Sequence, residues 1–389
     1  MDSSKSLSYK IFDRIEEIKL IEDFWKANQR YPYTDYGYFT QIVINEKSVI
    51  KPQIIVVYKN ENPIFLLIGT ILEKDYKLKI GYNSLFKLKV QILEIMYEGI
   101  LGTQSPLVCR ETVYYLKRYL AKERIDYIDF KQLNINSNMH KALKEFSGKL
   151  FISRPDLPNP HIYMDIPQSF RQYLETLDGK ERRKIKSETN KFENLLKGKY
   201  EIKLYQDIKD LVTIMRDINL IHSKTYQYKL NAPMIYDNET RKKIQFELEN
   251  KMLRVWIMYI EGKPVSFSTG LLYKDTLLGC KMGYLSEYGQ YRPGAYLMTK
   301  VVCYLCENNI VSKLDFGFGD AFYKKRYCSS TNFESNVFIF SHNLRGLILN
   351  LMETFNRVTL LLYRKLQVQY EGIRRIKKIS RIRLTRSVN

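Results

Sequence analysis

The hydrophobic and polar positions of the chain show one pattern twice. Residues 56–72 (VVYKNENPIFLLIGTIL) align without a gap with residues 257–273 (IMYIEGKPVSFSTGLLY). In each copy, two apolar runs flank a polar turn that ends at a proline, which is typical of a β-hairpin. Further along, YIDF at 127–130 matches KLDF at 313–316, in the same order. The two matches predict a tandem pair of related domains.

The second copy gives the clearer order of elements. The pattern predicts a charged helical stretch at 168–199, a strand at 200–205 and helices at 207–226 and 238–250. Three strands follow at 252–260, 264–273 and 276–285, and then a helix from 293 to about 308. A strand at 313–318, a short helix at 321–326 and a strand at 336–341 complete the copy. This alternation of strands and helices is typical of an α/β (α+β) fold.

Composition excludes several classes of protein. The chain has 389 residues, of which 45% are hydrophobic and 13% aromatic, so it can bury sizeable cores and is not mainly disordered. Its strongest apolar run, at 63–72, is half the length needed to cross a bilayer, and charges occupy the place of a signal-peptide core. We therefore expect a cytoplasmic protein. The five cysteines suggest no disulfide framework, and Cys303 and Cys306 lie in an apolar helical run, so we expect core packing and no metal.

Positive charge is concentrated in two segments. The formal net charge is +21. Ten basic residues and one acidic residue lie between position 357 and the end, and eight basic and three acidic residues lie between 180 and 199. Such a field attracts phosphates on nucleic acid, anionic lipid or a nucleotide cofactor. The alternative is that these segments are solvated basic surfaces.

The loop at 290–296 (QYRPGAY) is a candidate anion site because it joins a predicted strand to a predicted helix. Gly294 allows close approach of the backbone to a ligand, and Pro293 suits the first helical turn. Unpaired N–H groups at a helix start attract anions, and Arg292 adds a positive charge. By itself the motif also fits an ordinary turn.

The order of elements, with YLSEYGQYRPGAYLMTKVVCYLCENN at 284–309 and LDFGFGDAFYKKRY at 314–327, resembles the GNAT acyltransferases. These segments, LETLDGKERRKIKSETNKFE at 174–193 and INLIHSK at 218–224 are similar to the FemAB-like, CelD-like branch. The resemblance covers about 165–345. It implies two tandem GNAT-like domains, each a mixed central sheet flanked by helices. They are a degenerate domain at 1–165 and a GNAT acyltransferase domain with a coenzyme A loop at 166–345, followed by a basic C-terminal helical tail at 346–389.

The resemblance further implies acetyl-CoA or another acyl-CoA as co-substrate. In such proteins the loop before the helix holds the pyrophosphate and the preceding strand holds the pantetheine arm. A backbone N–H of that strand would also stabilise the oxyanion of acyl transfer. The implied cofactor-binding residues are Met282, Gly283, Tyr284, Tyr291, Arg292, Pro293, Gly294, Ala295 and Tyr296.

Four residues are candidates for catalysis. Tyr323 and Lys324 resemble the start of the Phe-Lys-x-x-Phe motif of Fem-type transferases; Lys324 would bind the oxyanion or an acceptor phosphate, and Tyr323 would protonate the leaving thiolate. The alternative is a solvated basic helix. Asp320 would orient or deprotonate an attacking amine, or only cap the next helix. His222 matches the histidine of the family motif and is suited to accept a proton near neutral pH.

Three functions fit these observations. The first is acyl-CoA-dependent N-acylation, by direct transfer, of a sugar, glycolipid, peptide or small metabolite, in polysaccharide or cell-envelope synthesis. The basic tail would then contact an anionic membrane peripherally. The second is a Fem-like aminoacyltransferase that uses aminoacyl-tRNA. The third is a basic nucleic-acid-binding protein without catalysis.

Overall fold

The computed structural model describes residues 7–80, 83–145, 157–224, 238–319 and 321–369. They divide into two compact units. Unit 1 holds the described residues up to Asn159 and those from Phe333 onward, and unit 2 holds Pro160 to Asn332. Within the described ranges, no helix is both long enough and apolar enough to span a membrane.

Unit 1 is a mixed sheet with helices on it. Its strands are β1 (Ser8–Phe12), β2 (Val49–Lys59), β3 (Asn62–Ile80), β4 (Asn83–Gly102), β5 (Tyr127–Asn134) and most of β12 (Ser330–Phe340), hydrogen-bonded in that order. Strands β4 and β5 are parallel, and the other neighbours are antiparallel. The helices are α1 (Ile15–Ile18), α2 (Glu22–Asn28), α3 (Tyr36–Asn45), α4 (Pro106–Lys122), α5 (Asn138–Glu145) and α12 (Leu344–Gln369).

Unit 2 repeats this plan. Its strands are β6 (Asn159–Asp165), β7 (Tyr200–Tyr205), β8 (Leu253–Ile260), β9 (Lys263–Tyr273), β10 (Thr276–Tyr284) and β11 (Lys313–Phe318), in the order β6-β11-β10-β9-β8-β7. Only β10 and β11 are parallel among the described pairs. The helices are α6 (Phe170–Thr176), α7 (Gly179–Leu196), α8 (Leu211–Ser223), α9 (Asn238–Glu249), α10 (Pro293–Asn308) and α11 (Phe322–Tyr327). The α/β fold with mixed sheets flanked by helices is confirmed.

The two matched hairpins have the same pairing. In unit 1 Tyr58 lies opposite Pro63, with an irregularity of register just before Tyr58. In unit 2 Tyr259 lies opposite Pro264, with the same irregularity just before Tyr259. Proline has no N–H to donate to the ladder, so the pairing is disturbed at the same point in both hairpins.

Two predicted elements differ from the structure. The helical stretch at 168–199 is two helices, because Asp178 begins a new one by accepting hydrogen bonds from Lys180 N and Glu181 N, each at 2.8 Å. The strand expected at 336–341 of the second half is β12, which pairs with β5 of unit 1. Its residues Val337 and Ile339 are buried in the unit 1 core, which explains this placement.

The predicted tail at 346–389 is described only in part. Its described residues belong to α12, which packs on β3 through Leu349 and Met352. Residues 370–389 lie outside the described part of the chain, so the tail stays a prediction there.

Strand β12 offers a matched test of its contribution to unit 1. Phe340 is fully buried beside Tyr127, whereas Phe333 on the same strand is 49% exposed. Phe340→Ala should lower the free energy of unfolding of unit 1 by about 3–5 kcal/mol, because it leaves a cavity in a packed core. Phe333→Ala should change it by less than about 1 kcal/mol. Urea denaturation measures both; equal losses would contradict the placement of β12.

Candidate active site

Helix α10 begins without a side-chain cap. Its N-cap residue is Arg292, in the left-handed conformation with φ of 53°, and Pro293 is the first helical residue. An arginine side chain has no acceptor for the first N–H groups. In α4, which follows the corresponding strands of unit 1, the Ser105 hydroxyl accepts a hydrogen bond from Val108 N at 3.3 Å. The start of α4 is thus capped by its own chain, whereas the start of α10 is suited to an anionic ligand.

Strands β10 and β11 diverge next to this helix start. They pair only over Thr276–Leu278 and Lys313–Asp315. Strand β10 then has a bulge between Gly279 and Lys281 and continues to Tyr284 paired with β9. A bulge bends a strand and increases its local twist. In the described part of the chain, residues 282–284 of β10 form no pair with β11. Backbone N–H and C=O groups on the β11 side of β10 can therefore bind a ligand.

Two cavities adjoin the start of α10. The first, which we call the α10 cavity, has a volume of about 400 Å³ and is lined by β10, the first turns of α10 and α11, including Met282, Gly283, Tyr284, Ala295 and Tyr323. Gly294 also lines it, and a Cβ atom there would lie 3.3 Å from Cδ1 of Tyr284. A larger side chain at 294 would therefore fill the cavity.

The second cavity lies between α7 and the loop before α10. It has a volume of about 470 Å³ and is lined by Glu188, Tyr291, Arg292, Ala295 and Tyr296, among others. Ala295 lines both cavities, so the start of α10 separates them. Eight of the nine predicted cofactor-binding residues line one cavity or the other, and Pro293 is buried at the helix start.

A carboxylate on α7 joins the two sides of this site. Glu188 pairs through Oε1 with Arg292 at 2.8 Å and through Oε2 with Arg326 of α11 at 2.9 Å. The Arg326 side chain is 12% exposed, and that of Arg292 is 69% exposed. The Glu188–Arg326 pair therefore holds α11 to α7. The Arg292 guanidinium is in water, where an ion pair contributes only about 0–1 kcal/mol to stability.

The Tyr296 side chain packs between α10 and α7. Its ring stacks on Phe192 of α7 with centroids 3.9 Å apart, and its hydroxyl donates to Glu193 at 2.8 Å. The Tyr200 and Tyr296 hydroxyls are 2.7 Å apart. Burial raises the pKa of Tyr296 first of all, and these hydrogen bonds raise it further. The side chain thus fixes α10 against α7.

The structure separates the predicted catalytic residues. Tyr323 lines the α10 cavity, and burial raises the pKa of its phenol, so the hydroxyl is protonated at neutral pH. Lys324 is buried, and its ammonium group donates to the carbonyls of Gly317, at 3.3 Å, and Phe318. It is therefore bound to the end of β11. Asp320 lies outside the described residues.

His222 lies on the other face of the unit 2 sheet. It is buried near the end of α8, and its pKa is lowered by burial and by the charge of Lys281. Lys281 precedes Met282, whose Cε lies 3.9 Å from the Cβ position of Gly294 on α10. Successive residues of a strand point to opposite faces, so His222 and the α10 cavity are on opposite faces.

Sequence analysis missed a buried pair in unit 2. His161 Nε2 of β6 lies 2.6 Å from Asp315 Oδ1 of β11, and both side chains are at most 2% exposed. The same oxygen accepts a hydrogen bond from Gly317 N at 2.7 Å, and the imidazole stacks on Tyr163 and Phe318. The pair therefore fixes the end of β11, to which Lys324 is also bound.

Unit 1 has a different arrangement at the same position. Asp129, which matches Asp315 in the repeat, is paired with Lys131 at 2.7 Å and Lys74 at 3.4 Å. Phe338 lies opposite Asp129, as Tyr163 lies opposite Asp315, so Asn336 of β12 corresponds to His161 of β6. The matched YIDF and KLDF segments were the signal for the aspartates. No sequence motif indicates His161, because β6 and β11 are far apart in the sequence and become neighbours only in the folded sheet.

Comparison with known proteins agrees with this geometry. Residues 179–325 match the family model described as an acetyltransferase (GNAT) domain. The match covers 147 residues, which is less than half of the chain, so this part of the chain is similar to that family. A search of curated proteins gives no match.

Solved structures similar to the chain share its fold. FemX has 9% identity and a TM-score of 0.55, over 88% of this chain and all of that one. A conserved protein of unknown function from Bacteroides thetaiotaomicron has 15% identity and a TM-score of 0.51, over 86% of this chain and all of that one. A tandem GNAT protein from the clavulanic acid pathway has 8% identity and a TM-score of 0.50, over 87% and 99%. The tandem GNAT-like fold is confirmed, and the GNAT resemblance is supported over residues 179–325, whereas the CelD-like branch is not confirmed.

The buried pair of unit 2 can be tested by two substitutions of one residue. His161→Leu should lower the free energy of unfolding by about 3 kcal/mol, because it removes one partner of a buried carboxylate. His161→Asn should lose clearly less, since an amide N–H can replace the imidazole donor and Asn336 occupies the corresponding position of unit 1. Urea denaturation at pH 7 measures both. If the two variants lose equal stability, the hydrogen bond to Asp315 contributes nothing.

Proposed function

We propose that unit 2 transfers an acyl group from acetyl-CoA or another acyl-CoA to an amine. The observation that carries the proposal is the uncapped start of α10, which adjoins the gap between the diverging strands β10 and β11. A helix start without a side-chain cap and a strand edge without a described partner lie there side by side. These are the two features that a pyrophosphate joined to an amide-containing arm requires.

The residues present fit this co-substrate. The pyrophosphate would accept a hydrogen bond from Gly294 N, where the absent side chain leaves room for it. Ala295 N and Tyr296 N each donate to Arg292 O at 3.1 Å, so they would share their hydrogen atoms with the phosphate. Arg292 would exchange its exposed pair with Glu188 for a charge-assisted bond to phosphate. The pantetheine arm would follow residues 282–284 through the α10 cavity. When bound, the co-substrate supplies a thioester, whose acyl carbon is already activated.

The remaining groups fit direct transfer. The amine nitrogen attacks the acyl carbon, the carbon–sulfur bond breaks and the thiolate leaves. A backbone N–H of residues 282–284 stabilises the developing negative charge on oxygen. Tyr323, protonated and beside the cavity, gives a proton to the sulfur. Lys324 holds the end of β11 through two carbonyls and keeps a positive charge close to this site.

His222 is the proposed proton acceptor for the amine. Its lowered pKa keeps the imidazole neutral at pH 7, which is the form that accepts a proton. Its place on the α8 face requires the acceptor to approach the gap between β10 and β11 from that side. The co-substrate would then enter from the α10 face, so the two substrates would not compete for space.

The substrate class is proposed from the resemblance. We propose an acceptor amine on a sugar, glycolipid, peptide or small metabolite, in polysaccharide or envelope synthesis, and a place in the CelD-like branch. A cytoplasmic location and contact of the basic tail with an anionic membrane belong to the same proposal.

The Fem-like use of aminoacyl-tRNA is the alternative, favoured by basic residues such as Lys191 beside the second cavity. Thermal shift with coenzyme A and with tRNA distinguishes the two.

Blocking the α10 cavity tests the cofactor assignment. Gly294→Trp should lower the affinity for coenzyme A at least 100-fold, because the indole would fill the space against Tyr284. Gly179→Trp is the matched control, since no atom lies within 4 Å of a Cβ there. Isothermal calorimetry measures both affinities. Arg292→Glu should also weaken coenzyme A binding, because the carboxylate repels the phosphates. Unchanged coenzyme A affinity in Gly294→Trp would contradict the cofactor assignment.

Different steps should depend on His222 and Lys324. His222→Ala should lower kcat roughly 10²-fold with little change in coenzyme A affinity, because it removes a positioned proton acceptor. The acidic limb of the pH–rate profile, which should lie below the usual histidine pKa, should disappear with it. Lys324→Met should lower the rate but keep that limb. Near-normal turnover of His222→Ala with an unchanged profile would show that another group accepts the proton.

A further inference from the structure

Helix α12 of unit 1 presents an apolar stripe to solvent. Six of its side chains follow one another at alternating intervals of four and three residues, so they lie along one side of the helix. Each is between 41% and 74% exposed. They are Leu344, Ile348, Leu351, Phe355, Val358 and Leu362. The other side of α12, with Leu349 and Met352, is buried in the unit 1 core.

A second apolar group lies beside this stripe. Strands β3 and β4 have 19 and 20 residues, whereas their counterparts β9 and β10 have 11 and 9. The extra length ends in Ile80, Leu85 and Phe86, which are 51% to 59% exposed. Asn356 Oδ1 accepts a hydrogen bond from Lys79 N at 2.6 Å, and the Thr359 hydroxyl donates to Lys79 O at 3.3 Å. These bonds bring Val358 and Leu362 of α12 to the end of the hairpin.

The charge around these residues is mostly positive. The extension of the hairpin carries Lys77, Lys79, Lys87 and Lys89; the last two pair with Asp75 and Glu73. The sequence after Gln369 adds seven basic residues and one acidic residue. Apolar side chains next to an excess of Lys and Arg match the chemistry of an anionic lipid surface.

We propose that the α12 surface, defined as the six-residue stripe of α12 together with Ile80, Leu85 and Phe86, docks on an anionic bilayer. Helix α12 lies in the plane of the interface with its stripe among the acyl chains. Nine large apolar side chains exposed in two adjoining groups differ from the singly scattered apolar residues that are normal on a protein surface. The proposal rests on the membrane contact proposed above for the basic tail and assigns it a surface of unit 1, and it does not depend on acyl transfer by unit 2.

A second copy of the chain is a less suitable partner for this surface. Two α12 helices could cover each other's stripes, because intervals of four and three also suit a coiled coil. They would leave the hairpin tip uncovered. In a parallel pair they would also bring two strongly basic segments together, which repel each other. A membrane covers both apolar groups and attracts the basic segment.

Tryptophan fluorescence tests the docking in the full-length protein. Phe355→Trp places an indole in the stripe, and Val212→Trp is the matched control on an exposed residue of α8, 70% exposed. With vesicles of phosphatidylcholine containing about 30% phosphatidylglycerol, only the emission of the Phe355→Trp variant should move to shorter wavelength. With pure phosphatidylcholine the shift should be at least tenfold weaker at equal lipid. No shift with anionic vesicles, or an equal shift in the control, would overturn the proposal.

Vesicle co-sedimentation separates the stripe from the basic tail. The triple variant Leu351→Gln, Phe355→Gln and Leu362→Gln should bind anionic vesicles at least tenfold more weakly than the unchanged protein, although it keeps every charge. Leu195→Gln with Val212→Gln, on exposed residues of unit 2, should bind normally. Normal binding by the triple variant would mean that charge alone binds the vesicles. If sedimentation velocity shows a dimer that the triple variant abolishes, and vesicles do not bind, the surface is an interface between copies.

Discussion

The site of unit 2 depends on how briefly β10 and β11 pair. Their parallel ladder covers three residues of each strand, and it ends where β10 bulges after Gly279. A parallel pair that continued would saturate the edge of β10 and close the α10 cavity. Because the ladder stops, backbone N–H and C=O groups of residues 282–284 lack that partner, next to the uncapped start of α10. The proposed co-substrate site follows from this strand edge and from a helix start that no side chain caps.

One exposed ion pair and several buried polar contacts hold the elements around this gap. On one side, Glu188 joins α7 to the start of α10 and to α11 through Arg292 and Arg326. On the other side, the His161–Asp315 pair and the Lys324 ammonium hold the end of β11. Pairs of this kind contribute little net stability but specify one arrangement, because an unpaired partner would be costly in the interior. Helix α11, which carries Tyr323, is thereby held by Arg326 and Glu188, which need not take part in the chemistry.

The two copies of the repeat carry different residues at corresponding positions. Unit 1 caps the helix after its central strands with Ser105, and it neutralises Asp129 with two lysines where unit 2 has a histidine. The two units therefore differ at the helix start and at the aspartate that lie next to the proposed site of unit 2. Unit 1 has instead a longer hairpin and α12, whose exposed residues are apolar. One copy therefore carries the proposed chemistry, and the other carries the proposed docking surface.

The sequence by itself determined most helices and strands and the loop at 290–296, because these depend on local periodicity and on backbone chemistry. Hairpins, the helix that starts at Pro293 and the cluster around Gly294 follow from residues close together in the chain. Tertiary structure alone decided which strand pairs with which. It placed β12 in unit 1, His161 against Asp315 and His222 on the far face from Tyr323. It also showed that Tyr296 packs α10 against α7 and that Lys324 is bound to carbonyls. Each of these joins residues far apart in sequence, and burial, which local patterns do not specify, selects among the possible partners.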